Sequence, residues 1–332
     1  GLYFLFSIIL LIDIFDNSFK KSLTNFISFN KSETLKQSLK IFLLYSIITL
    51  GIFVILNISG VRLFNSLNLA MTVISSGGFI PSNSLSNILI NNYQIVIFSL
   101  LMLTSFFSIF LVYNIVFVKN HNINFFNEDI HLLFYFIIIT LIFFVFFNFD
   151  NNFSELFFSL TSSVSNIGIS LNDNSTNLSF IFLILVVIGG SFFSTSSGIR
   201  FLKVYSLFKY SINEILSYSK PKNIYINKHL FSKEFFKLDE IYKYFLSVLI
   251  FVLSLIFLTF LLTLNTIDFE SSFKLSILTL MNTVNSSIYD LSDLSFYDLN
   301  FTTKYYLIFF MVIGRIELLT LLIICKKFLF KN

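Results

Sequence analysis

Six stretches of this chain carry almost no charge over the length needed to cross a membrane. Tyr93–Val118, Leu132–Phe149, Ser179–Ile199 and Tyr244–Leu264 contain no Asp, Glu, Lys or Arg. Ile41–Ile58 is shorter but equally bare, and Tyr305–Cys325 holds one Arg and one Glu. A helix needs roughly 17–25 mostly apolar residues to span the hydrocarbon core. Composition points the same way: of 332 residues, 56% are hydrophobic and 12% charged, where an ordinary soluble domain is about one-quarter charged. The chain reads as an all-α polytopic membrane protein.

The opening residues, GLYFLFSIILLI, are already apolar. No basic region precedes them and no small-residue cleavage site follows, so they do not read as a signal peptide. They read as the tail of a membrane helix that starts before Gly1, and the chain as a fragment. A single Cys, Cys325, excludes an internal disulfide framework and a thiolate cluster. The three His, His121, His131 and His229, are scattered in polar connectors and offer no metal site. Heavy use of Phe, Ile, Asn, Lys and Ser suggests A/T-rich coding, which lowers the information in any one of those choices.

The basic residues set the orientation. Lys20, Lys21, Lys31, Lys36 and Lys40 share one connector, and Lys119 sits in the next. Arg200, Lys203, Lys209, Lys220, Lys222, Lys228, Lys233, Lys237 and Lys243 share the third, and Lys326, Lys327 and Lys331 form the tail. These make 18 of the 22 Lys and Arg residues, all on alternate sides of the apolar spans. The opposite connectors, 83–92, 171–178 and 289–303, hold none, and the last carries Asp290, Asp293 and Asp298. The positive-inside bias places the four basic segments in the cytoplasm. The net charge of +4 thus reports topology and lipid headgroups rather than nucleic acid.

A unit recurs three times: a span, a short segment opening with a charge, a loop of small residues, and a second span. Ile41–Ile58 precedes RLFNSLNLAMTVISSGGF, Leu132–Phe149 precedes NFSELFFSLTSSVSNIGIS, and Tyr244–Leu264 precedes FESSFKLSILTLMNTVNSSIYD. The short segments are too short to cross. Because both ends of each unit fall in the cytoplasm, each short segment enters and returns on one face, as a re-entrant half-helix followed by a loop. Irregular backbone at membrane depth survives only where protein buries it or water lines it. Several such loops around one axis would line a pore whose carbonyl oxygens replace the hydration shell of a cation. Gly permits the positive φ this needs, and the negative end of each half-helix dipole faces the ion. The plainer reading is that Gly77, Gly78 and Gly168 serve tight turns alone.

These segments resemble the Trk/Ktr/HKT cation transporter superfamily, most nearly its TrkH-type membrane subunits. SLNLAMTVISSGGFIPSNSL is similar to the second pore loop of that family and SLTSSVSNIGIS to the third. IGGSFFSTSSGIRFLKV is similar to the stretch that interrupts the second helix of repeat three, and LIFFMVIGRIELLTLLII to the last helix with its Gly-Arg-hydrophobic-Glu signature. The family has four repeats around one pore, which implies three full units here plus the end of a first. Residues 1–40 would be the end of repeat one and a linker, 41–119 repeat two, 120–243 repeat three with its interrupted helix and cytoplasmic connector, and 244–332 repeat four with the tail.

The resemblance implies an ion filter at Ser76, Gly77, Gly78 and Phe79, at Asn166, Ile167, Gly168 and Ile169, and at Thr283, Val284, Asn285 and Ser286. Backbone carbonyls there would hold K+ or Na+. Gly78 and Gly168 match filter glycines, and Asn285 falls where the fourth loop usually has Gly. Asn tolerates left-handed backbone best among non-glycines, so a carbonyl survives there with the fourfold arrangement distorted. The resemblance also implies a gate at Gly189, Gly190, Ser191, Ser194, Thr195 and Gly198, an intramembrane loop below the filter, with Phe192 and Phe193 tightening it. The alternative for this stretch is a helix contact made by small residues. Arg315, mid-span, marks an interior position, either a pore-lining barrier or a structural ion pair; Glu317, two residues on, lies on another face.

The function this implies is potassium uptake across the cytoplasmic membrane of a bacterium, driven by the membrane potential. The rivals are a sodium-permeable or poorly selective pathway, and a non-conducting scaffold subunit. By resemblance the partners are the lipid bilayer, a second copy of the chain, and a cytoplasmic TrkA-like ring of nucleotide-binding subunits; no nucleic acid is expected. No phosphate loop, dinucleotide fingerprint or nucleophile–base pair is present, so neither enzymatic activity nor a cofactor is expected, and K+ enters only as the transported ion.

Overall fold

The structure is a computed structural model, which describes residues 34–82, 84–108, 127–146, 153–171, 178–191, 194–218, 238–291, 296–297 and 299–316. The apolar opening of the chain, Phe192, Phe193, Glu317, Cys325 and residues 219–237 of the third basic connector lie outside the described residues.

Among the described residues the chain forms ten α-helices and no strand. They are α1 (Thr34–Ile58), α2 (Leu63–Ser75), α3 (Asn92–Met102), α4 (Asn127–Phe146), α5 (Phe153–Val164), α6 (Ser179–Val187), α7 (Phe201–Ser217), α8 (Leu238–Leu264), α9 (Phe269–Leu280) and α10 (Phe301–Ile316). At 1.5 Å per residue, α1 and α8, with 25 and 27 residues, reach about 37–40 Å. The segments Glu128–Phe146 and Ile241–Leu264 are long and apolar enough to cross a membrane. By contrast α2, α5 and α9 have 13, 12 and 12 residues, roughly 18–20 Å, which stops short of the far side of a ~30 Å core.

Each half-helix packs on helices of its own unit or of another: α2 on α1, α9 on α8 and α10, α5 on α6 of its own unit and on α3. The turn from α1 into α2 closes through Gly60, at φ 93°, and through Ser59 O, which accepts from Tyr93 Oη and from Gln94 Nε2 at 2.9 Å. Gln94 Oε1 in turn takes the N–H groups of Ile90 and Asn91 at 3.0 and 3.2 Å. One side chain thus caps α3 and pins the turn between α1 and α2 of the same unit. An apolar cluster around Leu69, Val73, Phe98, Phe158 and Ile167 joins α2, α3 and α5, with Phe98 and Phe158 stacked at 6.0 Å. A second, around Phe143, Val164, Phe182, Ile277 and Tyr289, joins α4, α5, α6 and α9.

The half-helices bury hydroxyls as well as hydrocarbon. Ser66, Ser162, Ser163, Ser272 and Ser276 are fully buried or nearly so, and Ser163 and Ser276 bond back to the helix carbonyl four residues earlier. Small side chains let backbones approach closely. Outward, α4 presents Phe134, Ile138, Leu141, Phe144 and Val145, and α8 presents Val252, Leu253, Ile256, Phe257 and Phe260. Water would not tolerate so continuous an apolar surface; hydrocarbon does.

The uncharged run 179–199 is not continuous helix: α6 stops at Val187 and the chain turns into a loop. The third basic connector, whose charges the sequence marks as a mainly solvated cytoplasmic face, is in part packed. Residues 201–217 form α7, where Lys203 is buried and donates to Ser247 Oγ of α8 at 3.1 Å.

Candidate functional site

The three half-helices end alike. After α2, Ser76 adopts left-handed backbone at φ 46°. Its N–H bonds to Val73 O at 3.1 Å, and that of Gly77 to Thr72 O at 2.9 Å. After α5 the left-handed residue is Asn166, at φ 58°; its N–H bonds to Ser163 O at 3.1 Å, and that of Ile167 to Ser162 O at 3.0 Å. After α9 it is Asn282, at φ 51°, bonded to Thr279 O at 3.1 Å, with Thr283 N–H on Leu278 O at 2.9 Å. Each end is a Schellman closure. Ser and Asn take the position that Gly commonly fills.

This common register moves one expected residue. Two positions beyond the left-handed cap lie Gly78 and Gly168, at φ 68° and 77°. The same step from Asn282 reaches Val284, so Val284, not Asn285, stands where the glycine belongs. A β-branched residue is a true outlier at positive φ, and Val284 is not among the left-handed residues. The fourth loop therefore cannot turn its peptide as the other two do. Its support differs too. Thr72 Oγ1 donates to Phe79 O at 2.6 Å and Ser162 Oγ to Ile169 O at 2.8 Å. The equivalent residue of α9 is Leu278, which has no donor, and Asn285 Nδ2 instead bonds Leu291 O at 3.2 Å.

The loop tips meet. A Cβ placed on Gly78 would fall 2.5 Å from Ile167 O and 2.2 Å from Val284 Cγ2. One placed on Gly168 would fall 2.4 Å from Val284 O and 2.6 Å from Thr283 Cγ2. Both glycines thus serve close approach as well as positive φ. The fourth loop leaves the site through a 3-10 turn, Ser287–Tyr289. Lys274 Nζ of α9 holds that exit, 3.2 Å from Asp290 Oδ2 and 2.7 Å from Glu270 Oε1. Tyr289, fully buried, points its hydroxyl at Ser163 Oγ, 3.4 Å away.

Beside the tips lies the loop between α6 and α7. Its ends close by an isolated parallel bridge between Ile188 and Ile199, with Gly189 N–H on Ile199 O at 2.9 Å and Ile199 N–H on Val187 O at 3.1 Å. Its body docks on α3 where that helix unwinds into the 3-10 turn Leu103–Ser105. Ser191 N–H takes Phe106 O at 3.0 Å and Ser196 N–H takes Ser105 O at 3.1 Å. Inside, Ser194 and Ser196 hydroxyls lie 2.9 Å apart, and Ser196 Oγ accepts Gly190 N–H at 2.9 Å. This is how a polar loop survives at membrane depth: its backbone groups find partners in protein.

Three residues tie this loop to its surroundings. Ser76 Oγ lies 2.8 Å from Thr195 O and equally close to Ser75 O, so the cap of α2 touches the loop between α6 and α7 directly. Arg315 Nη1 donates to Ser197 Oγ at 2.6 Å; it faces inward, onto the loop. Gly314 beside it lets α10 lie against α9, since a Cβ there would fall 2.1 Å from Leu280 O. The third, Arg200, was read from the sequence only as the start of a basic connector. Its Nη1 reaches Ser196 O at 3.0 Å, Ser191 O and Ser194 Oγ at 3.3 Å, and Ser194 O at 3.4 Å. A charge set at the very edge of an uncharged, hydroxyl-rich run was the available signal.

The expected site residues thus fall into two adjoining groups. Ser76–Phe79, Asn166–Ile169 and Thr283–Ser286 gather at the loop tips, and Gly189–Ser191, Ser194, Thr195, Gly198 and Arg315 gather at the intramembrane loop. Asn166 Oδ1, Asn285 Oδ1, Ser286 Oγ and Ser191 Oγ are buried without a hydrogen-bond partner. Among the described residues no group of three or more His, Cys, Asp or Glu side chains could hold a metal.

No family model matches the chain, and no curated relative matches it. Among solved structures it is similar to the potassium transporter TrkH from Vibrio parahaemolyticus, with a TM-score of 0.75 and 18% sequence identity. That likeness covers 90% of this chain and 65% of the transporter's. The chain has the all-helical, multi-pass fold of that protein and spans about two-thirds of its length.

Proposed function

We propose that this chain belongs to the Trk/Ktr/HKT superfamily and forms part of an alkali-cation pathway, taking potassium into a bacterial cell across the cytoplasmic membrane. One observation carries the reading: three short half-helices end in the same left-handed closure, and their tips meet beside a polar intramembrane loop. A fold that only needed to span a bilayer has no use for half-helices whose C-terminal dipoles converge. Converging carbonyl ends attract a cation and can replace its hydration shell. An inward-moving ion gains about 2.3 kcal/mol per 100 mV of membrane potential. In this reading Ser76–Phe79, Asn166–Ile169 and Thr283–Ser286 line the filter. Residues 189–198 and Arg315 gate it. A second copy of the chain and a cytoplasmic nucleotide-binding ring are the proposed partners, on the strength of the family resemblance.

The test is rubidium and sodium flux into liposomes holding the full-length protein, with Gly168→Ser alongside. The left-handed position would be strained by any side chain, and the added Cβ would strike Val284. Rubidium flux should exceed sodium flux and fall at least tenfold in the variant. A specific observation favours a second reading, a poorly selective cation pathway. With Val284 in the glycine position the fourth loop cannot match the carbonyl geometry of the other two. Equal rubidium and sodium fluxes would establish that reading in place of the first.

A further inference from the structure

The loop tips step around their meeting point in order. Gly78 of the second loop lies against the carbonyl of Ile167 in the third, and Gly168 of the third lies against the Val284 peptide in the fourth. Neighbours therefore touch through backbone. The second and fourth loops also touch, through a side chain: Val284 Cγ2 and Cβ sit 2.2 and 2.8 Å from where a Cβ on Gly78 would be. The isopropyl group packs against the bare Cα of Gly78.

We infer that Val284 is an apolar plug at the level of the filter, a closing element separate from the intramembrane loop, and that it must swing aside before an ion can pass. The inference rests on the cation-pathway reading above and adds to it the residue that decides whether the filter is open. A methyl group offers no ligand to a cation that has shed water, and apolar constrictions close pores by excluding water from them. The cause lies in the backbone. Gly at 284 would reach positive φ and turn its peptide as Gly78 and Gly168 do; Val does not, so a side chain stands where a carbonyl would. The intramembrane loop meets the tips elsewhere, through Ser76 Oγ and beside Met281 at the end of α9.

Rubidium flux into liposomes holding the full-length protein tests this, comparing native chain, Val284→Ala, Val284→Gly and Arg200→Ala, with size-exclusion profiles confirming folded protein. Val284→Ala should raise flux about threefold or more and Val284→Gly about tenfold, with Val284→Leu at or below native. Should Val284→Gly fail to fold, the Ala and Leu variants decide alone. Flux within twofold of native in Val284→Ala and Val284→Leu, while Arg200→Ala conducts more than native, overturns the plug and leaves the cation pathway standing. No flux in any variant overturns both.

Discussion

Single residues carry much of this site through backbone geometry. Ser76, Asn166 and Asn282 show how a left-handed cap can do without glycine: each spends a side chain on a tether. Asn166 Nδ2 donates to Val186 O at 3.0 Å and Asn282 Nδ2 to Met311 O at 2.9 Å, each on the next helix of its own unit. Ser76 is the exception, because its hydroxyl reaches the intramembrane loop. At the other end of the fourth half-helix, Asp268 accepts Ser271 N–H at 3.1 Å as the N-cap of α9. The backbone bond from Ser271, with a smaller contribution from its side chain, holds the Asp268 carboxyl below its ordinary value of 3.8. A lowered pKa means the folded state prefers the carboxylate. The cap therefore contributes fully above that value and is lost as pH falls through the lower, folded one. Asp268→Ala should cost roughly 0.5–2 kcal/mol and lessen the acid sensitivity of the melting curve by the share of this one cap, whereas Asp268→Asn should keep most of the cap and lose that share of the pH dependence. Thermal melts of detergent-solubilised protein at neutral and acid pH would show both.

At the scale of elements, the intramembrane loop is held as much by a broken helix as by its own sequence. α3 gives up its regular hydrogen bonds near Ser105 and Phe106, and the freed carbonyls receive Ser191, Ser196 and the Thr195 hydroxyl. Arg200 closes the loop from within, gathering carbonyls that would otherwise point at one another. Charge-assisted bonds of this kind are worth about 1.5–3 kcal/mol, and Arg spreads its donors in a planar fork that Lys cannot copy. With Cys325 replaced by Ser and a single Cys placed at 195, Arg200→Ala should raise the rate of modification by a water-soluble thiol reagent at least tenfold. Arg200→Lys should fall between native and Ala. An unchanged rate in Arg200→Ala would mean that the α3 carbonyls and Arg315 suffice to hold the loop.

For the whole molecule, the long helices present hydrocarbon outward while the half-helices bury hydroxyls and carbonyls inward. Such an arrangement suits a bilayer with a polar interior. The charge pattern predicts the sides: 18 of 22 basic residues fall in four alternate segments, which the positive-inside bias would keep in the cytoplasm. In right-side-out vesicles with Cys325 replaced by Ser, Cys at 265 or 297 should react with an impermeant maleimide directly. Cys at 218 should react only after permeabilisation. Direct labelling at 265 but not at 297 would contradict the re-entrant arrangement, since α9 would then cross; direct labelling of all three would mean that α8 does not cross.

The membrane class, the spans at 128–146 and 241–264, the three short half-helices and the cluster of small residues near Gly189–Gly198 were legible in the sequence, because each depends on local composition and length. An uncharged run of the right length has one tolerable environment, and a run too short to cross must turn back. Register and partners were another matter. Asn285 looked like the stand-in for a filter glycine because Asn is the residue type that tolerates left-handed backbone. Yet the chain spends that tolerance three residues earlier, at Asn282, and leaves Val284 at the glycine position. Arg200 looked like the first charge of a connector until folding brought four oxygens of the preceding loop around it. Both depend on how helix ends are closed and on which carbonyls lie within reach. Those distances are set between segments far apart in the chain, so only the tertiary structure decides them.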